Sequence, residues 1–102
     1  MKILVVEDSR ANRLLLTQHV ERFGAIALPA ETGEAALAVF AHQRPDMVLL
    51  DVVLLDIDGF VVAQRIRAME KQGDWTPIIF LSSLGDDASI EAGIAAGGDD
   101  YL

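Results

Sequence analysis

Three aspartates stand close together in the segment MVLLDVVLLDIDG, residues 47–59. The letters VLLD occur twice in it, ending at Asp51 and at Asp56, and Asp58 follows two residues later. A carboxylate that ends a buried strand can bind a hard cation, and it can also attack a phosphoryl group as a nucleophile. The chemistry of this segment therefore depends on which aspartate lies at the rim of a sheet.

Strand length and side-chain alternation favour Asp51. Pro45 disfavours helix in the residue before it, so a strand is predicted to begin near Asp46, and ending it at Asp51 gives the usual length of about 5–6 residues. A strand that continued to Asp56 would be unusually long, and the odd spacing would point the two acids to opposite faces. Asp58 is predicted to cap the helix that follows, as Ser9 and Thr32 are predicted to cap the first and second helices.

Other polar residues are predicted to reach the same edge. Glu7 and Asp8 follow the apolar run ILVV, and Ser82 and Ser83 follow IIFL. If the first and third strands are neighbours, Glu7 and Asp8 converge with Asp51, and like charges so close raise each other's pKa unless a cation is present. Mg²⁺ suits such a site, and a carboxylate beside Mg²⁺ with a hydroxyl opposite can accept a phosphoryl group.

Short apolar runs alternate with helical patterns along the chain. Strands are predicted at residues 3–6, 25–28, 47–50 and 78–81, with a break at Pro29 after the second and a fifth strand starting at Tyr101. Helices are predicted between them, with inward positions at Leu16, Val20 and Phe23, then Ala36, Val39 and Phe40, then Val62, Ile66 and Met69, and a last helix around Ile90 and Ile94. This alternation predicts an α/β fold with a doubly wound parallel sheet, in which ligands bind beyond the carboxyl ends of the strands.

Composition narrows the class of protein. The chain has 102 residues, a net charge of −8 and only eight Lys and Arg residues, which argues against direct binding to nucleic acid. It has no cysteine, which fits a reducing, cytoplasmic location. No apolar stretch approaches the roughly 18 residues that a membrane helix needs, so no membrane association is expected.

Four segments together resemble one protein family. ILVVEDS, LLDVVLLDIDGF, PIIFLSS and AAGGDDYL stand in the order and at the spacing of the receiver domain of bacterial two-component response regulators. The resemblance covers residues 1–102 and implies a flavodoxin-like (βα)5 domain with five parallel strands. It implies a phosphorylation-dependent switch that is not an enzyme with a free substrate. The expected partners are a histidine kinase or phosphotransfer protein, and an output domain or target outside this chain, with a homodimer as one possible assembly.

The resemblance also implies roles for the acidic residues. Asp51 would be the phosphoacceptor. Asp8 would ligate Mg²⁺ directly, Glu7 would help to bind it, often through water, and the backbone carbonyl of Val53 would be a further ligand. In this interpretation the second VLLD is a loop, and Asp56 is a solvated acid there.

Further roles fall on residues later in the chain. Ser82 matches the hydroxyl residue that hydrogen-bonds the phosphoryl oxygen and moves with it. Tyr101 matches the aromatic whose rotamer reports that movement on the surface of the fourth helix and the fourth and fifth strands. Val53 and Leu84 occupy the two positions that tune the lifetime of the phosphoryl group. Both are apolar, and we expect them to disfavour positioning of the attacking water.

The chain departs from the family pattern at two places. Leu55 stands where the family usually has proline, so the loop after Asp51 is expected to be less rigid. The sequence ends at Leu102, before the Lys-Pro pair and the final helix of the family, and its only lysines are Lys2 and Lys71. The chain is therefore expected to be a receiver domain that is truncated after the start of its fifth strand.

Two alternatives remain open from the sequence. VVLLDIDGF resembles the D-x-D-G motif of haloacid-dehalogenase-type phosphatases, in which Asp56 would be the nucleophile and Asp58 the acid/base. That motif normally ends the first strand, and Phe60 stands where Thr or Val is usual. The second alternative is a receiver that has lost its chemistry and acts only as an interaction module.

Overall fold

The computed structural model of the chain describes residues 1–81 and 97–101. Its strands are β1 (Lys2–Val6), β2 (Ile26–Ala30), β3 (Met47–Asp51), β4 (Ile78–Leu81) and β5 (Asp100–Tyr101), and its helices are α1 (Arg10–Arg22), α2 (Gly33–Gln43) and α3 (Gly59–Met69). The sheet has the order β2-β1-β3-β4-β5, and every pair of neighbouring strands is parallel. This order is that of the flavodoxin-like doubly wound fold, as the sequence predicted.

Each described helix begins at a capping residue. Ser9, Thr32 and Asp58 each accept a backbone N–H from the first turn of the helix that they precede, at 3.4, 3.0 and 2.7 Å. These bonds satisfy donors that have no partner inside the helix. All three caps had been predicted, and they fix where each helix leaves the edge of the sheet.

The core lies between the central strands and the inward faces of α2 and α3. Phe40 of α2 and both Val62 and Ile66 of α3 are almost fully buried, which confirms the predicted faces of these helices. They pack against the apolar side chains of β1, β3 and β4, among them Leu4 and Phe80, in one continuous cluster. Helix α1 buries less, and Val20 is its one buried residue.

Phe23 was predicted to face inward on α1, and this prediction is wrong. Its side chain is 89% exposed. Helix α1 ends at Arg22, and Phe23 is the capping residue that leads into Gly24, whose φ is 81°. The spacing i, i+7 places a side chain on the inner face only while the helix continues.

The predicted break at Pro29 is also wrong. Pro29 lies within β2 and pairs in parallel register with Val5 of β1. Because β2 is an edge strand, the N–H that proline lacks is not needed for a second neighbour. The predicted helix around Ile90 and Ile94 lies outside the described residues. Among the helices that the structure describes, none is long and apolar enough to span a bilayer.

Candidate metal centre

The carboxyl ends of β1 and β3 bring three acids together. Val6 pairs with Leu50, so Glu7 and Asp8 after β1 lie beside Asp51 at the end of β3. One carboxylate oxygen from each of the three acids lies within 4.8 Å of the others. No ion pair between described residues neutralises any of them. The sequence prediction that these three acids converge is therefore met by the geometry.

The three carboxylates repel one another, and they are partly buried from water. Glu7 is only 7% exposed, and burial raises its pKa from 4.5 to about 7, with the charge of Asp51 adding to the rise. Burial likewise raises the pKa of Asp51. Hydrogen bonds from backbone N–H groups oppose these shifts: Ser9 donates to Glu7 at 3.1 Å, and Val53 donates to Asp51 at 3.2 Å. The cluster is held in place but its charge is not balanced.

The donor set fits Mg²⁺. All candidate ligand atoms are hard oxygens, and an octahedral Mg²⁺ at about 2.1 Å from each ligand holds its oxygens within roughly 4 Å of one another. Three carboxylates within 4.8 Å can reach that arrangement directly or through a bound water. A divalent cation would also remove the repulsion that raises the pKa values of Glu7 and Asp51. The geometry and the electrostatics therefore favour the same ion.

Arg13 supports this cluster, and the sequence analysis missed it. Its Nη1 donates to the backbone carbonyl of Glu7 at 2.9 Å and of Asp8 at 3.4 Å. The guanidinium thus braces the loop between β1 and α1 without pairing with the carboxylates. A signal existed in the sequence: an arginine in the first turn of a helix, five residues after an acidic pair, can reach back to the preceding loop.

Gly59 shapes the other side of the site. Its N–H donates to the carbonyl of Val52 at 2.9 Å, which folds the loop after β3 back onto the strand end. A Cβ at this position would collide with the backbone of Asp51 and Val52. The glycine of the DIDG segment is therefore required by close backbone approach. It holds the Asp51 backbone against the start of α3.

Asp56 and Asp58 lie outside the cluster and act on helix ends. Asp58 caps α3, as predicted. Asp56 is exposed, as predicted, but it is more than a solvated acid, because it accepts the N–H of Gly33 at 2.9 Å and of Glu34 at 3.0 Å. The N–H groups of Glu34 and Gly33 lower the pKa of Asp56. Both acids of the phosphatase alternative are thus engaged in capping, away from Glu7 and Asp8.

An open cleft of about 660 Å³ adjoins the acids. Its lining includes the three acids and Val53, together with Asn12, Leu15 and His19 of α1. Val53 is 57% exposed there. Three predicted site residues cannot be placed in it: Ser82 and Leu84 lie outside the described residues, and only the backbone of Tyr101 is described, in β5.

The strand order and the acidic edge define a flavodoxin-like α/β domain with a candidate cation site at its switch point, between β1 and β3. Comparison with protein families then identifies it further. The family model for the response regulator receiver domain matches residues 3–102. The chain belongs to this family of receiver domains of two-component response regulators.

Two curated relatives are similar in sequence to nearly the whole chain. The chain is 40% identical over 100 residues to the transcriptional regulatory protein AfsQ1 of Streptomyces coelicolor, covering 98% of this chain and 43% of that protein. It is 39% identical over 101 residues to the transcriptional regulatory protein YxdJ of Bacillus subtilis, covering 99% of this chain and 42% of that protein. The chain therefore spans about two fifths of the length of these curated relatives.

Solved structures show the same fold. The BeF3-activated N-terminal receiver domain of Klebsiella pneumoniae RstA superimposes with a TM-score of 0.90 at 28% identity, covering 100% of this chain and 84% of that chain. The chemotaxis protein CheY4 of Vibrio cholerae superimposes with a TM-score of 0.92 at 29% identity, covering 99% and 83%. The expected receiver fold is confirmed, and nothing in the comparisons supports the phosphatase alternative.

Proposed function

We propose that Asp51 is the phosphoacceptor of this receiver domain, and that Glu7, Asp8, Asp51 and the backbone carbonyl of Val53 hold the Mg²⁺ that the reaction requires. The observation that supports this most directly is the group of three carboxylates within 4.8 Å at the carboxyl edge of the sheet, with no neutralising ion pair among the described residues. Two-component phosphotransfer needs such a site, because the phosphoryl group carries charge that must be neutralised.

In the proposed reaction a carboxylate oxygen of Asp51 attacks the phosphorus of a phosphohistidine on the kinase or phosphotransfer protein. A P–O bond forms to Asp51 as the P–N bond breaks, and the histidine nitrogen leaves with the electron pair. Bound Mg²⁺ would supply charge neutralisation for the phosphoryl oxygens. Burial, which raises the pKa of Asp51, keeps its carboxylate poorly hydrated and so available as a nucleophile. The domain would help to catalyse its own phosphorylation in this way. It would also help its own dephosphorylation, in which a water oxygen attacks the phosphorus, the P–O bond to Asp51 breaks and inorganic phosphate leaves.

The proposed output is a change of surface. Ser82 would hydrogen-bond the phosphoryl oxygen and move toward it, and Tyr101 would follow into the space that this movement opens. The surface of the fourth helix and the fifth strand would then bind differently. Such a switch requires two states that differ by only a few kcal/mol, so that one phosphoryl group can exchange their populations.

The proposed setting is a longer response regulator in the cytoplasm. Residues 1–102 would be its receiver domain, a histidine kinase would be its donor, and an output domain or target protein outside this chain would receive the signal. The relatives AfsQ1 and YxdJ are described as transcriptional regulatory proteins, and more than half of each lies outside the matched part. A homodimer is part of the same proposal.

The lifetime of the phosphoryl group is proposed to depend on Val53 and Leu84. Val53 presents an exposed apolar side chain at the cleft, which cannot orient a water molecule for attack. A Val53→Asn, Leu84→Glu double variant should therefore lose its phosphoryl group faster. Hydrolysis at an unchanged or slower rate would contradict this role.

The central test is intact mass after incubation with Mg²⁺ and a small phosphoryl donor such as acetyl phosphate. Wild type should gain one phosphoryl group, Asp51→Asn should gain none, and Asp56→Asn should behave as wild type. Each protein should be compared in a form that is extended through the lysine and final helix of the family pattern. Loss of the addition only in Asp56→Asn would support the phosphatase alternative, and no addition in any form would leave an interaction module.

A further inference from the structure

The loop between β3 and α3, residues 52–58, contains a proposed metal ligand but is exposed at its apex. Val53 is 57% exposed and Leu55 is 89% exposed. Leu55 has replaced the usual proline, so its φ angle is not restricted by a ring. An unrestrained carbonyl makes a poor ligand, because the free energy of ordering it opposes binding. Some other contact must limit the movement of this loop.

The ends of the loop are held by short-range contacts. The N–H of Val53 donates to the carboxylate of Asp51, and the N–H of Gly59 donates to the carbonyl of Val52. These bonds fix how the loop leaves β3 and enters α3. Leu54 and Ile57 pack against the core, but the backbone of residues 54–57 makes no described hydrogen bond to either element.

Asp56 joins this middle stretch to α2. Its Oδ1 accepts the N–H of Gly33 at 2.9 Å, and its Oδ2 accepts the N–H of Glu34 at 3.0 Å. Within residues 1–81 and 97–101, these are the only hydrogen bonds that join residues 54–57 to a helix or strand. Ile57 packs on the same place, since a Cβ on Gly33 would collide with its side chain. The loop therefore contacts the amino end of α2 through both Asp56 and Ile57.

The amino end of α2 needs this carboxylate. Thr32 accepts the N–H of Ala35 at 3.0 Å, which is the one donor that a local cap reaches here. The N–H groups of Gly33 and Glu34 come before it and are the two that Asp56 accepts. The positive end of the helix also favours a negative charge at this point. Each carboxylate oxygen therefore has its own donor, and the bridge between loop and helix has a defined geometry.

We propose that Asp56 is a positioning residue, which restrains the loop in place of the missing proline and so holds the Val53 carbonyl beside the acidic cluster. This inference rests on the proposed function, because it assumes that the Val53 carbonyl binds Mg²⁺. It assigns the second VLLD a task that differs from that of the first. The first aspartate takes part in the chemistry, and the second holds the loop that completes the site.

The test is the affinity for Mg²⁺, measured by titration of the ¹⁵N-labelled protein and followed at the amide of Val53. Asp56→Ala should weaken binding by about tenfold, the lower end of what outer residues contribute at metal sites. Adding Leu55→Pro to this variant should restore most of the affinity, because a ring that restricts φ replaces the lost restraint. Equal affinity in wild type and Asp56→Ala would overturn the proposal.

Two control variants separate positioning from other effects. Thr32→Ala removes the local cap of the same helix but leaves the bridge to the loop, so its Mg²⁺ affinity should equal that of wild type. Glu34→Gln removes a neighbouring negative charge, and it too should bind Mg²⁺ normally. A loss as large as that of Asp56→Ala in either control would show that helix stability or net charge, not the bridge, sets the affinity.

Failure of the proposed function can be distinguished from failure of the positioning role of Asp56. If wild type binds no Mg²⁺, the proposed function fails at that point. The positioning of the loop is then measured in the metal-free protein, as the hydrogen-exchange rate of the Val53 amide. Faster exchange in Asp56→Ala than in Thr32→Ala would support the bridge, and equal rates would overturn it.

Discussion

The carboxyl edge and the amino edge of the sheet, where the parallel strands end and begin, each hold a cluster of carboxylates. Among the described residues, only the cluster at the amino edge is paired with a positive charge. At the carboxyl edge, Glu7, Asp8 and Asp51 lie within 4.8 Å of one another, and no described ion pair balances them. At the amino edge, Glu70 and Asp99 are both paired with the guanidinium of one arginine. The comparison separates acids that have no described counter-charge from acids that hold elements of the fold together.

The amino edge is organised around Arg67 of α3. Its guanidinium donates to Glu70 at 2.6 Å and to Asp99 at 2.8 Å, and it stacks 3.5 Å from the ring of Trp75. Asp99 in turn accepts the N–H of Ile78 at 2.7 Å and that of the Trp75 indole at 2.6 Å. The network joins α3 to the starts of β4 and β5, and every charge in it has an opposite partner.

The difference follows from the cost of burying charge. A buried acid that is paired and hydrogen-bonded keeps its charge and holds elements together, whereas a buried acid without a partner raises the free energy of the folded state. The carboxyl edge tolerates that cost, and a cation can remove it. The rest of the fold must therefore compensate for the unpaired acids at the carboxyl edge.

The largest expected effect is on the amino edge. Arg67→Met should lower the free energy of unfolding by about 3 kcal/mol, the range seen when one partner of a buried ion pair is removed. Its side chain is 14% exposed, and Glu70 would be left unpaired at 6% exposure. Urea unfolding at constant pH measures the change. A variant as stable as wild type would show that the network contributes nothing to the fold.

The second prediction concerns pH and the carboxyl edge. The pKa of Glu7 is raised from 4.5 to about 7, so the folded protein binds more protons than the unfolded chain between these values. The stability of the metal-free protein should therefore fall as the pH rises through this window. Mg²⁺ requires the deprotonated acids, so the rise in Tm on adding Mg²⁺ should be larger at pH 8 than at pH 6. Thermal unfolding with and without Mg²⁺ measures both, and an equal rise at the two pH values would contradict the prediction.

The third prediction is a change in the free energy of unfolding opposite in sign to that expected for Arg67→Met. Asp51→Asn removes one of three crowded charges, so it should stabilise the metal-free protein, by about 1 kcal/mol as is common when a functional site is relieved. The same change should reduce the stabilisation by Mg²⁺. Urea unfolding with and without the ion gives both numbers. Destabilisation without Mg²⁺ would mean that Asp51 serves the fold more than the site.

The smallest expected effect comes from an exposed ion pair. Arg65 and Glu34 lie 3.3 Å apart, but their side chains are 52% and 66% exposed. Arg65→Met should change the free energy of unfolding by no more than about 0.5 kcal/mol, as is usual for pairs in water. This variant is the matched control for Arg67→Met on the same helix. If Arg65→Met lowered the free energy of unfolding as much as Arg67→Met, burial of the ion pair would not determine its contribution to stability.

Features that depend on neighbouring residues could be predicted from the sequence. The choice of Asp51 over Asp56 followed from strand length and from the alternation of side chains, and both acids lie where this argument expected. The caps Ser9, Thr32 and Asp58 were predicted for the same reason, since a cap acts within one turn of its own helix. The receiver fold followed from the order of the segments.

Two errors and two omissions of long-range contacts show which features could not be predicted from neighbouring residues. Phe23 and Pro29 were misjudged because their setting depends on where α1 ends and on β2 being an edge strand. The bridge from Asp56 to α2 was missed because its partners stand more than twenty positions earlier in the chain. Arg67 was missed because Asp99 stands 32 positions after it.

The sequence by itself determined the elements, their order and the one acid that ends the third strand, because these follow from periodicity and from interactions within a turn. The tertiary structure decided which of the described acids have an opposite charge nearby. That depends on β1 lying beside β3, which brings Glu7 and Asp8 to Asp51, and on α3 lying beside the start of β5, which brings Arg67 to Asp99. Electrostatic energy falls off with distance and rises with burial, and both quantities exist only once the chain has folded.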